Sequence, residues 1–397
     1  SQLPSHTSPM EAQLASRLGL IAGNPDQKLR ADEYRSVLAD VIAAASVELC
    51  KQFVDHMLLD IVPLVISRAL LMTFAAEVGK MPADVHKATA AYALEKLQPR
   101  VVSFEDSAIK LREDLASALE REEEWAKAAH TLAGIDLDTG TRNLDPIYKL
   151  SKHIKIAMLF LEDDDPVNAE VYIKKASALI SLCKDPAQEL QYKTCYARVL
   201  DAKRRFVDAA LRYYELSCAG ARVQQIDNDD MENALNQAIT CTILAAAGPQ
   251  RSRMLATIYK DERAERLDVY PFVERVYLER ILRREEVEKF AQTLRPHQRA
   301  TLPDGSTVLQ RAVMQHNLLA ASKLYNNISL QELGSLLGVT PDKAEGMAAD
   351  MILEGRLVGL VDQVDGSIRF DDQQEALHLW DTQIQGACNK LNDIISI

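Results

Sequence analysis

The sequence predicts a mainly α protein: a right-handed helical-repeat solenoid, then a winged-helix module, then one bundle-forming helix. Three observations carry that reading. Only 15 Gly and 14 Pro punctuate 397 residues, well under the usual combined share of ~12%, so little chain is spent on turns. A pattern of large and small residues recurs at a step of 40–41 through the middle of the chain. Lastly, signals for a helix, a helix-turn-helix and a hairpin follow one another between residues 308 and 370.

Residues 1–27 read as a loose lead-in, because Pro4, Pro9, Gly23, Asn24 and Pro25 interrupt a short apolar patch. The solenoid is expected over 28–290. Tyr34, Val37, Leu38, Val41 and Ile42 fall at i, i+3, i+4, i+7 and i+8, which is one face of a helix. Ile109, Leu111, Leu115, Ala118 and Leu119 mark another between Ser103 and Glu122. Trp125-x-x-Ala128-x-x-x-Leu132 then returns as Pro166-x-x-Ala169-x-x-x-Ile173 and as Phe206-x-x-Ala209-x-x-x-Tyr213. The alanines stand 41 and 40 residues apart, and so do Leu115, Ile156 and Tyr196 on the preceding helices. A small residue lets the partner backbone approach beside a large one, which stacked helical hairpins of TPR or HEAT type require. The acidic run Glu162 to Asp165, ahead of Pro166, reads as a solvated turn before a helix start. It lacks the glycine and spaced ligands of a calcium loop.

The winged-helix part is expected over 291–370. A helix spans about Val308 to Leu324, and Ser329-Leu330-Gln331-Glu332 spells a capping box for the next. Gly338 stops that helix; Thr340 and Pro341 open another, which runs to Glu354 and is closed by Gly355. Apolar runs at Leu357–Asp362 and Ser367–Phe370 flank Asp365-Gly366, a hairpin signal. Over 371–397, Leu377, Trp380, Ile384, Ala387, Leu391 and Ile394 step by 3, 4, 3, 4 and 3. That seam belongs to a coiled coil or bundle and needs a partner to cover it.

Charge and motif content narrow the function. With 46 Lys plus Arg against 58 Asp plus Glu the net charge is −12, which weighs against bulk binding to nucleic acid or anionic membrane. The second helix of the helix-turn-helix sets Lys343 against Asp342, Glu345, Asp350 and Glu354, a poor match to DNA phosphates. No apolar run is long enough to span a membrane, and the first ten residues lack a signal-peptide core. Cysteines at 50, 183, 195, 218, 241 and 388 form no C-x-x-C, so reduced thiols and a cytoplasmic and nuclear location are expected. The eight histidines spell neither H-x-H nor H-E-x-x-H, and neither a Gly-rich phosphate loop nor a G-x-S-x-G elbow occurs. No catalytic residue, cofactor site or metal site is therefore expected. Arg251, Arg253, Lys260, Arg263, Arg275, Arg280, Arg283 and Arg284 interleave with carboxylates, which reads as a salt-bridged helical surface rather than an anion site.

Taken together with LVISRALL (64–71), QPRVVSFED (98–106), LEDDDPVNAEVYI (161–173), CYARVLD (195–201), CTILAAAGPQRSRMLATIYKDER (241–263), HNLLAASKLYNNI (316–328) and EGRLVGLVDQVDG (354–366), this order of elements resembles the PCI-domain family. Within that family the segments are most similar to a subunit of the COP9 signalosome; PCI scaffolds of the proteasome lid and of translation initiation factor three are the alternative. The resemblance implies a non-catalytic scaffold and substrate-sensing subunit of a complex that removes a ubiquitin-like modifier from cullin-RING ligases, the zinc isopeptidase residing in another subunit. It implies three sets of partners: PCI neighbours through the winged helices, the catalytic metalloprotease pair through a bundle of C-terminal helices, and a cullin-RING ligase through the N-terminal solenoid. The expected interface residues are Leu357, Leu360, Ile368 and Phe370 on the hairpin, and Leu377, Trp380, Ile384, Ala387, Leu391 and Ile394 on the seam.

Overall fold

The computed structural model describes residues 9–24, 26–137, 144–183, 185–219, 228–301, 305–370, 380–381 and 383–389. The chain divides into two compact units, Ser1–Cys195 and Tyr196–Ile397, with the boundary inside the stretch expected to be one solenoid.

The first unit contains α1 (Pro9–Ala22), α2 (Gln27–Ala44), α3 (Val47–Met57), α4 (Leu64–Val78), α5 (Ala83–Leu97), α6 (Glu105–Arg121), α7 (Trp125–Ala133), α8 (Pro146–Glu162) and α9 (Pro166–Leu179). α10 (Pro186–Ala202) crosses into the second unit. The start corrects the expected lead-in: Pro9 opens α1 rather than breaking it, since a first-turn proline has no intrahelical N–H to lose. Leu14, Leu18 and Ile21 on that helix are buried.

The repeat is visible in atomic detail. Trp125, Pro166 and Phe206 are each the first residue of a helix. Ala128, Ala169 and Ala209 are fully buried beside Leu132, Ile173 and Tyr213. Leu115 and Ile156 on the preceding helices are buried, whereas Tyr196 is half-buried. The turn entering each of these helices also repeats. Glu123, Asp164 and Arg204 have φ of 61°, 57° and 60°. The next amide in each case reaches back five residues: Glu124 N to Leu119 O at 3.0 Å, Asp165 N to Phe160 O at 2.9 Å and Arg205 N to Leu200 O at 2.9 Å. Each is a left-handed C-cap that closes one helix and starts the next within three residues. The acidic run has a further role in the chain's own fold: the Asp165 carboxylate accepts the Val167 and Asn168 amides at 3.1 Å and caps α9.

The second unit continues with α11 (Phe206–Ala219), α12 (Asn228–Leu244), α13 (Pro249–Tyr259), α14 (Tyr270–Tyr277), α15 (Arg284–Gln292) and α16 (Val308–Leu324). There follow β1 (Asn327–Ser329), α17 (Leu330–Leu337), α18 (Pro341–Leu353), β2 (Leu360–Asp362) and β3 (Ser367–Arg369). The capping residues act as their chemistry requires: Ser329 Oγ accepts the Glu332 amide at 3.2 Å, and Gly338, Gly355 and Gly366 take φ of 69°, 68° and 58°. The expected two-stranded hairpin is a three-stranded antiparallel sheet in the order β1-β3-β2, with Ile368 opposite both Ile328 and Val361. Leu318, Ile328, Leu333, Met351, Leu357 and Ile368 form the core of this module. Each large side chain contributes roughly 1.5–3 kcal/mol on burial.

Candidate functional site

The sheet places β3 in the centre and leaves β2 outermost. Among the described residues β2 pairs with β3 alone, so its second edge presents unpaired backbone groups, an arrangement that invites another strand or chain. Strand alternation sorts the hairpin side chains. Leu357, Ile368 and Phe370 are 4%, 0% and 7% exposed in the module core, which corrects their expected place at an interface: the sheet lays one face on α17 and α18. Leu360 is 61% exposed and remains a candidate contact. Residues the sequence reading passed over join it, namely Val358 at 61% and Val364 at 96% on the wing, with Leu353 at 85% at the end of α18. The alternation in Leu357-Val358 was the available signal, one residue turned in and the next out. Gly359 makes the geometry possible. A Cβ there would stand 2.7 Å from the Arg369 carbonyl oxygen.

On the C-terminal segment, residues 380–381 and 383–389 are helical. Trp380 and Ile384 are exposed along the seam, as is Ala387. Leu377, Leu391 and Ile394 lie outside the described residues.

The first unit carries its own apolar surface. Ile61 and Val65 at the α3–α4 turn are largely exposed, and so is Val102. Arg68 Nε donates to the Ser103 carbonyl at 2.6 Å, which draws Val102 to the side of α4 and forms a shallow cavity of about 250 Å³ with Met72.

The basic cluster of the second unit is only partly the salt-bridged surface expected. Arg263 pairs with Asp261 at 2.7 Å, Arg284 with Glu288 at 2.8 Å, and Arg275 with Glu286. The Arg263 guanidinium beside Asp261 holds that carboxyl below its usual range. Arg251 departs from the pattern by turning inward. Among the described residues, no group of three His, Cys, Asp or Glu side chains is placed to hold a metal, and no helix is long and apolar enough to cross a membrane. The cysteines are unbridged.

Comparison with known proteins finds two family regions in the chain. Residues 23–225 match the family model described as PSMD12/CSN4, N-terminal, and residues 276–372 match the PCI domain. The COP9 signalosome complex subunit 4 of Arabidopsis thaliana is 53% identical over 373 residues, covering 93% of this chain and 94% of the relative. The proteins of the same name from Dictyostelium discoideum and Drosophila melanogaster are 45% identical over 371 residues and 44% over 392, covering 93% and 98% of this chain and 93% and 94% of the relatives. These near full-length matches favour the signalosome over the proteasome lid or initiation factor three, and the chain belongs to the COP9 signalosome subunit 4 family.

Proposed function

We propose that this chain is a non-catalytic scaffold of the signalosome, joined to its neighbours through the wing edge and the C-terminal helix. In this reading the first unit senses the cullin-RING ligase, and the zinc isopeptidase that removes the ubiquitin-like modifier sits in another subunit. The supporting observation is the exposed seam: Trp380 at 65% and Ile384 at 48% stand on a helix whose spacing is that of a bundle. Burial of a large side chain yields about 1.5–3 kcal/mol, while association costs an estimated ~4–15 kcal/mol. One helix alone therefore holds weakly. The helix and the wing, linked in one chain, raise each other's effective concentration. The apolar surface at Val65 and Val102 is the candidate contact of the first unit with the substrate complex. Cytoplasmic and nuclear residence is part of the proposal, and unbridged cysteines accord with a reducing compartment.

The test is a chain truncated after Phe370, purified and mixed with the remaining signalosome subunits. The expected outcome is a folded chain, with the full-length melting temperature, that fails to enter the complex. A truncated chain that assembles normally would show that the anchor lies elsewhere. One that unfolds would place the helix in the subunit's own core.

A further inference from the structure

Arg251 is 5% exposed, and among the described residues no carboxylate pairs with it. Its Nε donates to the Thr242 carbonyl at 3.0 Å and its Nη2 to the Ile243 carbonyl at 3.4 Å, at the C-terminal end of α12. These carbonyls satisfy two of five guanidinium donors and bring no net charge. Burial without a counter-ion pushes the guanidinium down to about 10, the direction expected when desolvation is uncompensated.

A cavity of about 100 Å³ opens on this side chain, walled by Gly248, Ser252, Tyr277, Glu279 and His316. That is the space of roughly three waters at ~30 Å³ each, or of one small tetrahedral ion. Gly248 gives α13 no side-chain cap and Pro249 has no N–H, so the Gln250 and Arg251 amides are the first-turn donors left without the usual acceptor, the Ser252 amide donating to the Gly248 carbonyl at 3.0 Å. The His316 ring Nε2 lies 3.0 Å from the Arg280 carbonyl, and burial, then the charge of Arg251, lowers the ring to about 4, so at neutral pH it adds no positive charge to the pocket and Arg251 is its buried cation. Glu279, the carboxylate on the wall, is engaged by Lys323. Arg253 and Arg280 are exposed close by in sequence, and no salt bridge engages either among the described residues.

We propose that this pocket binds one phosphate-sized oxyanion, held by the free guanidinium N–H groups of Arg251 and by the open amides of Gln250 and Arg251 at the start of α13. The bound charge is the counter-ion that the buried guanidinium lacks, and it ties the α12–α13 junction to α16 through the shared wall.

Removing Arg251 would also uncap α12, so the decisive variant is Ser252→Asp. It sets a carboxylate at the mouth of the pocket, in a helix turn that favours one, and leaves the fold intact. With the full chain and inorganic phosphate as probe, ³¹P line broadening and a rise in melting temperature over chloride at equal ionic strength are expected. Ser252→Asp should weaken phosphate binding at least tenfold with an unchanged circular dichroism spectrum. Arg253→Gln, outside the pocket, should bind as the unaltered chain does. Absence of broadening in the unaltered chain, or equal broadening in Ser252→Asp, would overturn the proposal, the second by showing that phosphate merely screens surface charge.

Discussion

The side-chain amide of Gln298 donates to the Asp201 carboxylate at 3.0 and 3.1 Å, joining the last turn of α10 to the 3-10 turn at Pro296–Arg299 across 97 residues of chain. Both residues are 1% exposed, and His297 Nε2 lies 3.1 Å from the same carboxylate. The contact fixes the segment leading into α16 to the repeat behind it. Asp201→Ala would strand a buried amide and remove an acceptor from His297, at a cost of about 2–4 kcal/mol. The urea midpoint of the second unit should fall accordingly. An unchanged midpoint would show that the segment is held by its apolar contacts alone.

The repeated turns give a stabilising prediction. Glu123, Asp164 and Arg204 hold left-handed φ values without being glycine, a conformation that costs an L residue roughly 1–2 kcal/mol. Glycine removes that strain but loses more entropy on folding, so Arg204→Gly and Glu123→Gly should each gain about 0.5–1 kcal/mol. Asp164→Gly should gain less, because a short acidic side chain tolerates this region better. Thermal unfolding of the three variants checks the order. Loss of stability in Arg204→Gly would mean that its side chain contributes more than its backbone strain costs.

His316 predicts an acid-side loss of stability. Burial first, then the charge of Arg251, pushes the folded ring from 6.5 down to about 4, against smaller opposing contributions from the Arg280 carbonyl and Glu279. The unfolded ring takes a proton more readily than the folded one, so this contribution is complete above pH ~6.5 and is lost as the pH falls toward ~4. At about 1.4 kcal/mol per unit it amounts to ~3 kcal/mol. His316→Gln should flatten the difference in stability between pH 7 and pH 4.5 by that order. Parallel pH profiles for the two proteins would refute the assignment.

Much of this architecture was legible in the chain because helices write their burial at a period near 3.6. Trp125, Pro166 and Phe206 each begin a helix where the 41- and 40-residue steps placed them. The C-caps between them were not legible, since Glu123, Asp164 and Arg204 take a glycine's conformation without its sequence signal. β1 was missed because three residues, Asn327 to Ser329, are too few to show alternation. The interface reading failed at Leu357, Ile368 and Phe370 for a related reason: apolar residues of a hairpin mark its inward face as readily as an outward one. Arg251 shows the same limit for charge. Its neighbours alternate in sign and suggest a solvated face, but the helix turns this one guanidinium into the unit.

The wing separates stability from association. A Cβ on Gly359 would press on the Arg369 carbonyl oxygen at 2.7 Å, a backbone atom that cannot swing away. Gly359→Ala therefore forces β2 from β3 and should cost about 1–3 kcal/mol within the module. Leu360 is 61% exposed and Val364 96%, so Leu360→Glu and Val364→Glu leave the core untouched and should shift stability by no more than about 0.5 kcal/mol. All three should weaken binding to a neighbouring PCI subunit if the β2 edge is the contact, the first by bending the edge and the others by placing an unpaired carboxylate in an apolar seam. The informative pair is Gly346→Ala and Leu360→Glu. Gly346 lies in α18 with open space where a Cβ would sit, so its alanine should stabilise the helix by about 0.5–1 kcal/mol and leave association unchanged. Affinity that follows stability across these variants, falling with Gly359→Ala and preserved in Leu360→Glu, would show that the neighbour reads the folded module as a whole. Affinity lost in Leu360→Glu at full stability would locate the contact on the outer edge of β2.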